Sequence, residues 1–483
     1  MSYGLTRTLH AITAVLILAT LFFLASCGSG SSSNGSTSTA TPTPTPTPIP
    51  APAPSPSPTP TPSSSNQWTW VNGSNAANQP GSYGTLGQPS TANIPPPRYE
   101  STSWTDSGGN FWMFGGSQPS TLLNDLWKFN GTMWTWVGGS SSPNQLSVFG
   151  ILGTPAASNA PGARTGAMSW TDETGSLWLF GGLGLDVRGY SEYLNDLWRY
   201  SAGQWTWMGG SQTGAASGVY GTQGMPASSN APGARQFAVT WTDATGNLWL
   251  FGGYGYDANG ALGDLNDLWR YNAGRWTWVA GSNLVNQPGV YGVLGSPAPA
   301  NGPGGRREAV GWSDSFGNLW LFGGGYGQSL SMLNDLWRYT AGQWTWMGGS
   351  STPAQAGVYG TQGSASQTNV PGSRVLALVW SDPSGTVWLF GGNGVDSTGT
   401  VDYLNDLWKY SGGQWTWVSG SNLGRQPGKY GTQGIGTNTN SPGGRFAPGG
   451  WFDSAGNVYL FGGDGYDSSG TLGFLNDLWK YQP

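Results

Sequence analysis

The chain has 483 residues, with 18 Lys or Arg against 23 Asp or Glu, a net charge of −5. No basic run appears in it, which argues against nucleic acid as a partner. Its only cysteine and only histidine, Cys27 and His10, both lie near the N-terminus, so the rest of the chain holds no disulfide and no Ser-His or Cys-His catalytic arrangement.

Residues 1–26 have the pattern of an export signal: Arg7 precedes the apolar run AITAVLILATLFFL at 11–24, too short for a stable spanning helix. The run ends in Leu24-Ala25-Ser26-Cys27, which resembles the lipobox of bacterial lipoproteins. That resemblance implies cleavage before Cys27, lipidation of its thiol and attachment to the membrane through the acyl chains. Gly28 rather than Asp follows, so the outer membrane or cell surface is the expected address. Residues 27–66 are almost wholly Ser, Thr, Pro, Ala and Gly, including TPTPTPTPIPAPAPSPSPTPTP at 41–62, a composition that predicts a semi-rigid polyproline stalk.

Residues 67–483 are dominated by a repeat. NDLW begins at 124, 195, 266, 334, 405 and 476, FGG at 114, 180, 251, 322, 390 and 461, and WTW at 68, 134, 205, 276, 344 and 415. In the second unit RTGAMSW, SLWLFGG, NDLWRY and QWTWM read as four strands. DETG is a turn between the first two, LGLDVRGYSEYL a loop and SAG a second turn. Large apolar residues at both parities of SLWLF predict strands buried on both faces. Four antiparallel strands in each of six units specify an all-β, six-bladed β-propeller. The sixth unit lacks a fourth strand of its own, and the segment around Trp68–Trp70 is expected to supply it, leaving no open edge. Each unit has five Trp positions, Tyr459 replacing one, so the 29 tryptophans are all assigned to packing.

The double glycine after the second strand, the Asp-Leu-Trp start of the third and the Tyr200…Trp207 spacing resemble the kelch family of propellers over about 67–483. The resemblance implies a monomeric propeller that serves as a binding module for a protein or a glycan, or, in a few cases, as an enzyme acting on sugars. It also implies that the arginines of PxxR, Arg98, Arg164, Arg235, Arg306, Arg374 and Arg445, line the channel mouth and contact carboxylates. The alternative is that each bonds blade backbone or the Asp of an NDLW. The residues depart from the family pattern shortly after those arginines, where Ser101, Ala167, Ala238, Ala309, Ala377 and Pro448 stand in place of His. The related copper oxidase needs His ligands and a Cys-modified Tyr, which cannot be formed here, and no metal or other cofactor is expected.

The links between units are about 25 residues long and carry one aromatic among glycines: Tyr83, Phe149, Tyr220, Tyr291, Tyr359 and Tyr430, as in GVYGTQG at 218–224. These links should emerge on the same face as the loops between second and third strands, so the six aromatics form either a ligand platform or six plugs that seat each link. Asp186, Asp257, Asp396 and Asp467, each with Gly three residues on, fit turns or calcium ligands. Seven further carboxylates fall outside the repeat: Glu100, Glu173, Glu192, Asp264, Glu308, Asp402 and Asp464. Glu100 and Glu308 each follow a PxxR arginine by two residues in opposite units, and they are the candidate acid–base pair if the chain is a metal-free sugar mutarotase or epimerase. A structural adhesion component is the third reading.

Overall fold

The computed structural model describes residues 65–483, Ser454 excepted, so the export signal, Cys27 and the stalk up to residue 64 lie outside the described residues. Six antiparallel sheets ring a common axis as a six-bladed β-propeller with four strands per blade, and the described residues include no helix. In the second blade the first strand is broken into Arg164–Thr165 and Met168–Thr171. Leu177–Leu185, Ser191–Ser201 and Gln204–Gly209 follow outward.

The two-sided apolar strands pack as expected. Each junction between neighbouring blades holds one apolar cluster, such as Met168, Trp178, Phe180 and Leu197 of blade two against Leu250, Trp269 and Trp276 of blade three. Indoles of the first strand also cross the junctions: Trp104, Trp170, Trp241 and Trp451 donate to backbone carbonyls of Trp178, Trp249, Trp320 and Trp112. The FGG motif makes a bulge in the second strand, and in blade two the register slips between Phe180 and Gly182. Gly181 takes φ 62°, and a Cβ there would lie 2.8 Å from the Arg235 carbonyl of the next blade, so only glycine allows this approach.

Ring closure follows the expected route. Gln67–Asn72 pairs antiparallel with Leu472–Gln482, Trp68 opposite Tyr481 and Trp70 opposite Trp479, and becomes the outer strand of blade six.

The reading differs from the structure at two places. The segment LGLDVRGYSEYL is not a loop: the second and third strands continue through it as a hairpin to a turn at Asp186–Gly189. Blades three, five and six have the same long hairpin, whereas blades one and four carry only Ser117–Gln118 with Thr121–Leu122 and Gly325–Tyr326 with Ser331–Met332. The links, for their part, do not stand up as a ring on one face. Each descends along the outer edge of the following blade, where Gly153 and Ala156 donate to the Trp207 and Trp205 carbonyls, and Gly434 and Thr437 to those of Trp70 and Trp68. Links thereby cover outer strands that would otherwise present unpaired N–H and C=O groups.

Candidate functional site

The repeated polar residues are engaged inside the blades. In blade three the Arg235 guanidinium forks onto Asp267, Nη1 to Oδ1 at 2.7 Å and Nη2 to Oδ2 at 2.8 Å, while Nε and Nη1 donate to the carbonyls of Gly233 and Gly252. Asp267 also accepts from Trp269 Nε1 and from the Tyr220 hydroxyl, each at 2.7 Å. The same fork joins Arg98 to Asp125, Arg164 to Asp196, Arg306 to Asp335, Arg374 to Asp406 and Arg445 to Asp477. All six arginines are buried. Of the two roles open to them, the geometry is that of the bond to the NDLW aspartate of the same blade.

The link aromatics complete these clamps. Tyr220 lies against Trp269 and edge-on to Trp278 of the following blade, and Gly221 turns with φ 61° beside the side chain of Asn230. Tyr83, Tyr291, Tyr359 and Tyr430 repeat the hydroxyl-to-aspartate bond, and Phe149 repeats the ring packing without it. Burial, then the neighbouring Asp267 charge, pushes the Tyr220 hydroxyl far above its ordinary value, with Arg235 opposing. Phe149, Tyr220, Tyr359 and Tyr430 are thus buried plugs, while Tyr83 and Tyr291 remain partly exposed, each at the edge of a notch. Sequence reading missed the asparagines that hold the links: Asn93, Asn159, Asn230, Asn369 and Asn440 donate Nδ2 to an outer-strand Trp carbonyl. Their recurrence two positions before each PxxR proline was the available signal.

The hairpin aspartates are likewise engaged. Asp186 accepts at Oδ1 from the N–H groups of Arg188 and Tyr190 and at Oδ2 from the Arg188 side chain and Gly214 N–H. Asp257, Asp396 and Asp467 receive turn and link N–H groups in the same way. Burial raises the Asp186 carboxyl, but the Arg188 and backbone donors outweigh it and leave it below the ordinary value. No cluster of three metal-binding side chains occurs among the described residues.

Of the seven carboxylates outside the repeat, Glu173 lies in the DETG turn and the other six gather at the axis and on the hairpin face. The residue two after each PxxR arginine has positive φ: Glu100, Gly166, Phe237, Glu308, Leu376 and Ala447. Each donates its N–H to the carbonyl of its counterpart in the preceding blade at 3.0–3.2 Å, so six backbone bonds close a ring around the axis. Glu100 and Glu308 both line one axial cavity of about 170 Å³, together with Ser101, Phe237, Leu376 and alanines. The Glu100 carboxylate accepts from the Thr165 hydroxyl at 2.9 Å, and Arg307 Nε stands 4.0 Å from Glu308.

Above the ring lie aromatics and acids, Tyr193 and Tyr403 partly exposed and Tyr466 buried. Tyr403 donates to Asp464 and Tyr466 to Asp402. Tyr193 packs against Tyr254 and Tyr256, and burial pushes its hydroxyl up to about 12. Between blades three and four the short hairpin of blade four leaves a notch of about 400 Å³ lined by Asp264, Asn286, Tyr291 and Tyr326 among others. The chain matches no protein-family model and no curated protein sequence.

Proposed function

We propose that the protein is an envelope-tethered binding module, anchored as a lipoprotein through Cys27, whose kelch-like propeller receives a glycan on its hairpin face. One observation carries this reading: the six Arg–Asp pairs and the five link Tyr hydroxyls are engaged within the blades, while six of the seven carboxylates outside the repeat, all but Glu173, collect at the axis and on that face. Partly exposed phenols beside carboxylates suit sugars, which present both hydroxyls and apolar ring faces. The chain enters blade six at Asn66, bonded to Gln482 on the tight-turn face.

A second reading rests on Glu100 and Glu308 sharing one axial cavity, an arrangement suited to a metal-free mutarotase or epimerase. Ligand-observed NMR on the full chain with neutral saccharides tests both. Saturation transfer with unchanged sugar spectra supports binding, and accelerated anomer exchange or new resonances support catalysis. Silence in the presence of saccharides, with an envelope protein co-purifying instead, would move the ligand class to protein.

A further inference from the structure

We propose that the notch between blades three and four is the binding site for a neutral saccharide unit, with the Asp264 carboxylate as its hydrogen-bond anchor. The proposal rests on the glycan reading above and assigns it a place.

The fold makes two notches alike. Blades one and four stand opposite each other, and both have the short hairpin. Each therefore leaves a cavity beside the long hairpin of the preceding blade, of about 430 Å³ at blade one and about 400 Å³ at blade four. Their backbones are built the same way. Asn78 bonds back and forth with Phe474 in one, and Asn286 with Asp264 in the other.

The side chains differ sharply. At blade one, Tyr99 stacks on Phe474 at 5.1 Å, and Pro80, Pro96, Pro97, Pro119 and Pro143 make the walls apolar. At blade four the two stacked positions are Arg307 and Asp264, an ion pair at 2.6 Å, with Arg307 also over the Tyr254 ring at 4.5 Å. Positions matching Asp264 hold Tyr193, Tyr403 and Phe474 in the other long-hairpin blades, so the acid is a departure from the repeat, matched by a second departure at Arg307. The junction does not need this pair to hold together, because the aromatic stack does the same work across the ring. Replacing a buried ion pair by apolar groups is commonly neutral or stabilising. The pair is better explained by what it places in the cavity.

Asp264 is 2% exposed and takes Arg307 Nη1 on Oδ1 and the Gly327 N–H on Oδ2, so each oxygen keeps an acceptor site. Its charge is already matched by Arg307. An anion meets a carboxylate there, a cation gains little, and a hydroxyl donor finds a charge-assisted acceptor. Asn286, Gln287 and Ser351 add neutral polar groups, and Tyr326, 38% exposed, adds a ring face. The volume is at the small end of the roughly 300–1,000 Å³ range of ligand pockets, fitting one or two sugar rings.

The fold supplies its own control. The double variant D264F/R307Y installs the pair found at the opposite notch and should fold. Saturation-transfer NMR on the full chain, with glucose, N-acetylglucosamine, lactose, maltose and cellobiose as probes, should show binding by the unaltered chain and at least about tenfold weaker binding by the double variant. Y326A, a change at a half-exposed position, should weaken binding while leaving the melting temperature in place. F474D/Y99R, at the other notch, should leave it unchanged. Binding that survives in both D264F/R307Y and Y326A overturns the site while keeping the glycan reading. An unaltered chain that binds none of the probes overturns both.

Discussion

The Arg–Asp forks are the interaction on which the blades most depend, and R235L tests this. Arg235 and Asp267 are both fully buried, and the guanidinium makes four hydrogen bonds, two to the carboxylate and two to backbone carbonyls. Leucine leaves Asp267 with its Tyr220 and Trp269 donors but with no countercharge. Removing one member of a buried pair costs about 3–5 kcal/mol, a large share of the roughly 5–15 kcal/mol by which domains are stable. In R235L/D267L the charge is gone, and the residual cost is that of unpaired Tyr220, Trp269 and two carbonyls at about 1 kcal/mol or more each, against the gain from apolar packing. The double variant is therefore expected to be no less stable than R235L. Guanidinium unfolding followed by tryptophan fluorescence reads both. An R235L chain within about 1 kcal/mol of the unaltered protein, or a double variant losing the sum of both single losses, would refute the argument.

Three further outcomes are expected. F149Y restores in blade two the hydroxyl that the other five blades aim at their aspartate, and should raise stability by about 0.5–1.5 kcal/mol in the same unfolding measurement. A447G should be close to neutral because Ala447 has φ 51°, whereas A447P removes the N–H bonded to Leu376 and cannot adopt that φ, so it should unfold the chain at room temperature as read by near-ultraviolet dichroism. At Asp172, Asp243 and Asp314 burial raises the carboxyl, but indole, side-chain and backbone donors outweigh it and hold the folded value below the ordinary one. Their stabilisation is present above the unfolded value of about 3.9 and is lost as pH falls through the folded value, so D172N/D243N/D314N should flatten the decline in melting temperature below about pH 4.

Much of this architecture was legible because the repeat writes each contact six times. NDLW, FGG and WTW located third, second and fourth strands, and the missing fourth strand of the last unit pointed to Trp68–Trp70. The Arg–Asp bond was legible only as one of two roles, since the residue types suit an acidic ligand equally well. The path of the links was not legible: GVYGTQG reads as a face loop until Asn230 and the outer-strand carbonyls bend it down the edge. LGLDVRGYSEYL lacks the alternation of a strand because it is held mainly by its turn and its partner. Asp264 stood out as a carboxylate beyond the repeat, yet its partner Arg307 is 43 residues away in the next blade, and nothing local to either announces the pair.

The axial ring of backbone bonds has an electrical consequence. All six N–H groups point the same way around the axis, each toward the preceding blade, so the peptide dipoles run head to tail in a closed circuit. In a helix such dipoles line up and leave about half a charge at either end. Bent into a circle they cancel, and the circuit has no positive or negative terminus. The part of each dipole that runs around the axis thus leaves no terminus facing the cavity it encircles. The ionisable side chains that line it are those of Glu100 and Glu308.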